Sequence, residues 1–364
     1  MNSTERVKRA ITGQPVDRTP IYGWLSANLT DELTRACGSV AAFEDKYEFD
    51  AAHIFGGPST FNKEEIQRHR GAGEEITPET LLDIPFMPVD RMEDYESVRR
   101  ALAFHKQRGR FCYVQTPGFF EQFNDPLGIE NQLMDLALYP EEIMELYARQ
   151  AEWTKRFASN MLELGVDMIH VSDDWGSQRS MLFSPRMWRE MIYPNLKAVV
   201  DFVHARGALV SLHSDGNIVA ALDGLTEIDI DLLHPWQESA GMSYDLYLEK
   251  YQNRFAIMGG LCVQTTLGFQ NYERLEREIR RVFGLLRVSA GYCARPTSSR
   301  AIARWTSWRL PTTCAISWPE NRIPQTNAAA RSATDSARRY SAPDMNKTTT
   351  YFRQNAVCAV VDTI

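Results

Sequence analysis

His213-Ser214-Asp215-Gly216-Asn217 sets an imidazole and a carboxylate two residues apart. In an extended chain that spacing sends both side chains to one side, where they suit two ligands of one metal or an imidazole oriented by a carboxylate. The plainer alternative is a buried histidine, with Asp215 capping a helix begun at Asn217. Asp173-Asp174-Trp175-Gly176-Ser177-Gln178 carries two adjacent carboxylates. Neighbours in a strand alternate in direction, so at most one points into a shared pocket, where it binds a metal or acts as acid or base. Otherwise one caps the next helix and the other is solvated. Leu233-His234-Pro235-Trp236 adds a histidine and an aromatic wall, and His53 is followed after Ile54-Phe55 by two glycines that let a ligand approach the backbone. Tyr22 and Trp24 add two rings, which as structural residues would pack an interior floor. Together these residues suit a cavity rimmed by aromatics with a few titratable groups, made for a flat or bulky organic ligand.

Each group ends a short β-branched or aromatic run. Strands are predicted over Thr19–Leu25, Phe49–Phe55, Phe111–Thr116, Val166–Ser172, Ala208–His213, Ile230–His234 and Phe255–Gly259. Amphipathic stretches lie between them, among them Glu130–Leu138, Pro140–Leu164, Ser184–Arg206, Tyr244–Gln252 and Tyr272–Leu286. Pro185 marks one helix start and Gly207 its stop. Such alternation means a parallel sheet, and no G-x-G-x-x-G follows the first strand to suggest a doubly wound one. An eighth strand would close a (β/α)8 TIM barrel. It is expected near residue 289, where the pattern fails, so the eighth strand and last helix are expected to be missing or scrambled. In a barrel, chemistry sits where strands end. Asp174, His213, Asp215 and His234 are therefore the expected catalytic groups, with Tyr22, Trp24, His53, Asp173, Gln178 and Trp236 around the substrate.

The 364 residues are 44% hydrophobic and 24% charged, a globular composition. No apolar run approaches the about 20 residues of a spanning helix. Met1–Arg9 is polar, without a secretory h-region. Six scattered cysteines without a C-x-x-C pair suit a reducing cytoplasm. A net charge of −7 argues against nucleic acid as the main partner. The average hides a break. Residues 288–364 hold ten Lys and Arg against four Asp and Glu, and residues 1–287 thirty against forty-three. All seven histidines precede the break, while Trp305, Trp308 and Trp318 stand in an otherwise polar tail. Residues 1–287 read as the barrel domain and 288–364 as an aberrant, poorly ordered basic tail. One account of the tail is a frameshift: a second frame of Ser298–Cys314 can spell a Ser-His-Cys turn followed by an acidic amphipathic helix.

The ordered motifs resemble the uroporphyrinogen decarboxylase superfamily. They are Glu5-Arg6-Val7, Pro15-Val16-Asp17-Arg18-Thr19-Pro20-Ile21, Phe49-Asp50-Ala51-Ala52, Gly165-Val166-Asp167 leading to Asp173-Asp174-Trp175-Gly176, Ser184-Pro185, His213-Ser214-Asp215-Gly216-Asn217 and Met258-Gly259-Gly260-Leu261. The resemblance implies a (β/α)8 barrel, often dimeric, in a family containing the haem-pathway decarboxylase and corrinoid-linked methyltransferases. The decarboxylase carries an arginine-rich segment after its first strand; here Gly23-Trp24-Leu25-Ser26-Ala27-Asn28 has no cation. Its catalytic aspartate should follow the second strand, where this chain has Gly56-Gly57. A substrate with many carboxylates needs compensating positive charge, so both losses count against it. The methyltransferase branch binds zinc through His-x-Cys-Gly and a later cysteine. His213 and Gly216 match that pattern, Asp215 replaces the first cysteine, and a third ligand would come from the eighth strand.

The resemblance therefore implies a methyltransferase linked to a corrinoid (cobalamin) cofactor, with a divalent metal such as zinc on His213 and Asp215. Its partners would be a small-molecule substrate, a corrinoid-binding protein and a second copy in a homodimer. The alternative is a tetrapyrrole decarboxylase, with Asp174 or His213 protonating a pyrrole carbon and Arg179 among the carboxylate binders. A third expectation is an inactive, frameshifted family member with an open seam in its barrel.

Overall fold

The computed structural model describes residues 1–25, 29–262, 264–267, 269, 271–289 and 358–362. All seven expected strands form: β1 (Ile21–Gly23), β2 (Ala51–Ile54), β3 (Phe111–Pro117), β4 (Met168–Ser172), β5 (Leu209–His213), β6 (Leu232–His234) and β7 (Ala256–Met258). From β2 to β7 each pairs in parallel with the next, giving a curled six-stranded half-barrel of α/β type. The Asp50 N–H donates to Ile21 O at 2.7 Å and brings β1 beside β2.

The eighth position differs from expectation. Residue 289 is helical, because Tyr272–Ser289 forms one continuous helix across the 287/288 boundary. The place between β7 and β1 is taken by β8 (Cys358–Asp362), which pairs antiparallel with both. The rest of the basic tail, the frame change read in it and the third metal ligand expected from it lie outside the described residues.

Local signals account for the helices that carry the strands. Ser184 caps the helix that starts at Pro185, its Oγ accepting from Met187 N at 3.1 Å. That helix widens into a π turn over Trp188–Ile192, just before Pro194, which has no N–H to continue the ladder. Among the described residues no helix is long and apolar enough to cross a membrane.

Register decides what faces the barrel interior. Ala51 lies opposite Phe111 and His53 opposite Tyr113; His170 pairs with Ser211, and His213 with His234. With side chains alternating, the inward positions begin apolar at Ala51, Phe111, Met168, Leu209, Leu232 and Ala256, then turn polar towards the strand ends. Val7 and Ile11 of the helix Ser3–Ile11 close the apolar end. There the opening motifs form an ion network. The Arg6 guanidinium donates to Asp50 Oδ1 at 2.6 Å and to both Asp17 oxygens, Arg18 also pairs with Asp50, and Ile21 N–H donates to Asp50 Oδ2 at 2.8 Å. Arg6 holds Asp17 down at about 2. These residues therefore lock the helix and β1 to β2, at the end away from the polar rim.

Candidate active site

The polar rim is built from the C-terminal ends of β3 to β6. Asp174 follows β4 and, with Ser172, shares the inward parity of the strand. His213 ends β5 and His234 ends β6. His213 Nε2 lies 3.4 Å from Asp174 Oδ1, and the same oxygen accepts the Asp215 N–H at 2.7 Å. On its other side, His213 Nδ1 is 2.7 Å from His234 Nδ1. Asp174, His213 and Asp215 each offer a ligand atom within 4.8 Å of the others.

Two glycines make this approach possible. A Cβ on Gly176 would stand 2.3 Å from Asp215 O, and one on Gly216 2.5 Å from the Gly176 carbonyl carbon. The loops after β4 and β5 thus touch backbone to backbone, and Gly216 also adopts φ +80°. Gly216 N–H donates to Gln237 Oε1 at 2.8 Å, tying in the loop after β6.

A third carboxylate joins the pair. Glu121, in the first turn of the helix Phe120–Leu127 after β3, accepts from Ser172 Oγ at 3.0 Å. Burial raises the Glu121 carboxyl, and Asp174 adds to the rise. Asp215 is also raised, by burial first, with His213 pulling it down and Asp174 pushing it up. Protonation is therefore favoured on carboxyls that ordinarily ionise, the condition in which a cation or an acid–base role is useful.

Histidines fill the interior below. His170 Nδ1 meets Ser211 Oγ at 2.7 Å. His53 stacks on Tyr113 at 4.6 Å. Burial lowers His53 to about 3 and holds His170 and His234 well below the usual imidazole value, each further lowered by neighbouring histidines. These three are neutral bases. Trp24 lies among four imidazoles, with ring centroids 4.6 Å from His234, 5.0 Å from His53, 5.4 Å from His213 and 6.0 Å from His170. Its Nε1–H donates to Tyr113 Oη at 2.8 Å. Tyr22 is buried edge-on to His234. Beside Trp24 and His53 opens a cavity of about 210 Å³, lined also by Phe55, Phe104, His105 and Glu44.

Three expected pocket residues stand elsewhere. Asp173 is fully buried and faces outward; its carboxylate accepts the Phe119 N–H at 2.8 Å and the Glu121 N–H at 2.7 Å. It thereby holds the start of the helix after β3, and strand alternation gives the inward position to Asp174. Trp236 is not a wall of the site: the chain turns at Pro235 and the indole packs on Tyr247 at 5.1 Å, in the layer between sheet and helices. Gln178 is exposed in the turn where Ser177 N–H donates to Ser180 O. Arg179 is exposed in the same turn.

Residues 126–293 match the family described as uroporphyrinogen decarboxylase, and that span holds the ends of β4, β5, β6 and β7. Over that span the chain is similar to the uroporphyrinogen decarboxylase superfamily. Among solved structures it is similar to a methyltransferase from Methanosarcina mazei, with a TM-score of 0.61, 16% identity, and coverage of 78% of this chain and 90% of that one. A 3-keto-D-glucoside 4-epimerase from E. coli matches at a TM-score of 0.31 and 14% identity, over 63% of this chain and 88% of that one. No curated protein matches.

At this site the sequence pattern missed Glu121, His170 and Ser211. Glu121 had no signal, because it belongs to a helix rather than a strand end. His170 and Ser211 had one: they lie two residues before Ser172 and His213, and share their inward parity.

Proposed function

We propose that this chain is a metal-assisted methyltransferase that moves a methyl group between a small methylated compound or thiol and a corrinoid cofactor. The observation that carries the reading is the convergence of Asp174, His213 and Asp215 within 4.8 Å. One imidazole nitrogen and two carboxylates form a donor set that fits a divalent ion such as zinc, harder than a thiolate site. The raised Asp215 carboxyl fits as well, since a buried carboxylate of that kind lacks counter-charge. Bound there, a metal would lower the pKa of a thiol or water and so supply a nucleophile at neutral pH.

The chain's own residues do the rest. His234 fixes the His213 ring through the 2.7 Å contact between their Nδ1 atoms. Glu121, its carboxyl raised by burial and by Asp174, stands at the rim beside the carboxylate pair. Trp24 excludes water from the histidine-lined interior. A corrinoid would then be presented at the rim by a partner protein, and a homodimer is the expected assembly.

Two considerations favour methyl transfer over tetrapyrrole decarboxylation. One solved structure of similar fold is a methyltransferase. The converging rim groups Glu121, Asp174 and Asp215 are acidic, and they oppose a substrate bearing many carboxylates. The test is decay of the methylcobalamin absorbance when purified protein, zinc and a simple thiol are mixed, with His213→Ala and Asp215→Asn as controls. Zinc-dependent decay abolished in both variants supports the reading. Release of CO2 from uroporphyrinogen without methylcobalamin turnover overturns it.

A further inference from the structure

Below the carboxylates, His213 and His234 meet a third imidazole, that of His170, which the methyl-transfer reading does not use. His170, His213 and His234, from the consecutive strands β4, β5 and β6, each bring a ring nitrogen within 4.8 Å of the others. All three are buried. His170 Nδ1 is held by Ser211 Oγ at 2.7 Å, while His170 Nε2 is a buried atom with no hydrogen-bond partner among the described residues. A fully buried ring nitrogen without a partner is costly, and in a native interior it needs an explanation.

We propose that these three histidines form a second metal site, composed only of imidazole nitrogen, that takes a borderline divalent ion such as zinc or cobalt(II). Its ligands are His170 Nε2 and the facing Nδ1 atoms of His213 and His234.

Three physical points carry this. First, the ligand form is already present. The buried rings of His170 and His234 each bring a ring nitrogen towards His213, within 4.8 Å. With Nδ1–H donated to Ser211, the His170 lone pair resides on Nε2, the usual arrangement of a ligating histidine fixed by an outer partner. Second, the contact between His213 and His234 is a proton shared by two acceptors, 2.7 Å apart. With zinc–nitrogen bonds of about 2.0–2.1 Å, tetrahedral ligation parts the two nitrogens to about 3.3 Å, a small opening of the pair. The ion takes the place of that proton, which moves to Nε2 of His234 as the ring changes tautomer, so both rings stay neutral and no redox partner is required. Third, charge is balanced nearby. Asp174 lies 3.4 Å from the opposite nitrogen of His213, so a carboxylate sits one ring away from the ion. Imidazole-only ligation selects against magnesium and calcium, which require oxygen.

The site shares His213 alone with the rim site; with both filled, that ring bridges the two ions as imidazolate and its Nε2 proton leaves to solvent, and each site can still be emptied separately. The test is equilibrium dialysis of the metal-free full-length protein against zinc, with bound metal measured by mass spectrometry, on wild type, His170→Gln and Asp215→Asn. The expected result is two zinc per chain in wild type and one in each variant. Wild type holding a single zinc that His170→Gln retains and Asp215→Asn loses overturns the nitrogen site and leaves the methyl-transfer reading intact. A single zinc lost in His170→Gln and retained in Asp215→Asn supports the nitrogen site and removes the rim metal. X-ray absorption at the zinc edge of the Asp215→Asn protein needs no folded His170 variant. Three imidazoles per zinc support the site, and one or none overturns it.

Discussion

The Nδ1 atoms of His213 and His234 face each other 2.7 Å apart, so one ring must donate to the other. His213 Nε2 lies toward Asp174, which favours a proton on that nitrogen and makes His234 the donor to His213. His234→Phe removes that donor and leaves a buried acceptor on His213. Losing such an orienting partner costs about 10–100-fold in metal affinity or activity. Methylcobalamin turnover is expected to fall by that factor, with a cooperative thermal transition preserved; unchanged turnover would show that the pair has no part in the chemistry.

Asp173 and Asp174 are adjacent but should respond oppositely to substitution. Asp173→Asn sets an amide donor against a backbone N–H and should cost about 1–3 kcal/mol in urea unfolding, with zinc stoichiometry preserved. Asp174→Asn should weaken zinc binding and leave the urea midpoint nearly unmoved.

The pH dependence follows from the same residue. Burial pushes Asp173 up to about 7 against the pull of two amide donors. A raised value means that the folded chain holds this proton more tightly than the unfolded chain. Stability from this group is therefore greatest at acid pH and is lost as pH rises from the ordinary carboxylate range towards about 7. Glu121 and Asp215, also raised, act in the same direction. Urea midpoints recorded across that range should decline with pH, and less steeply in Asp173→Asn; a slope identical in both proteins would refute the assignment.

Gly176→Ala tests the contact between two loops. The added methyl would stand 2.3 Å from Asp215 O and 2.7 Å from Asn217 N, both backbone atoms that cannot swing aside. Overpacking of this kind costs about 1–3 kcal/mol. Because the displaced residue is Asp215, zinc binding at the rim should weaken along with stability, whereas Gly71→Ala, with open space around it, should change neither.

At the opposite end, Asp50→Ala leaves Arg6, whose side chain is 8% exposed, paired with Asp17 alone and deprives Arg18 of its carboxylate partner. Breaking a buried pair in this way costs about 3–5 kcal/mol. Calorimetry should show the fall in melting temperature. Zinc stoichiometry at temperatures where the variant is folded should remain that of wild type, because the network lies under the barrel.

Much of this architecture was legible in the residues. Short β-branched runs ending in Asp174, His213 and His234 identified the strands, because a strand buried on both faces has to be apolar until it reaches the rim. Which of two adjacent aspartates turns inward was not legible: it depends on the parity of β4, and that is fixed by register with Tyr113 and Leu209. Trp236 misled for a related reason, since alternation stops applying once the chain turns at Pro235. Glu121 reaches the site from a helix, and its placement depends on Asp173 accepting two amides of that helix start, a tertiary contact without a local trace. The eighth strand position defied reading because its occupant, Cys358–Asp362, comes from far along the chain and runs the opposite way.

Trp24 has one more consequence. With its indole lodged between rings from β2, β4, β5 and β6, the barrel has no empty centre to receive a guest. Anything larger than an ion that reaches those rings must evict a resident, so its arrival is an exchange rather than an addition.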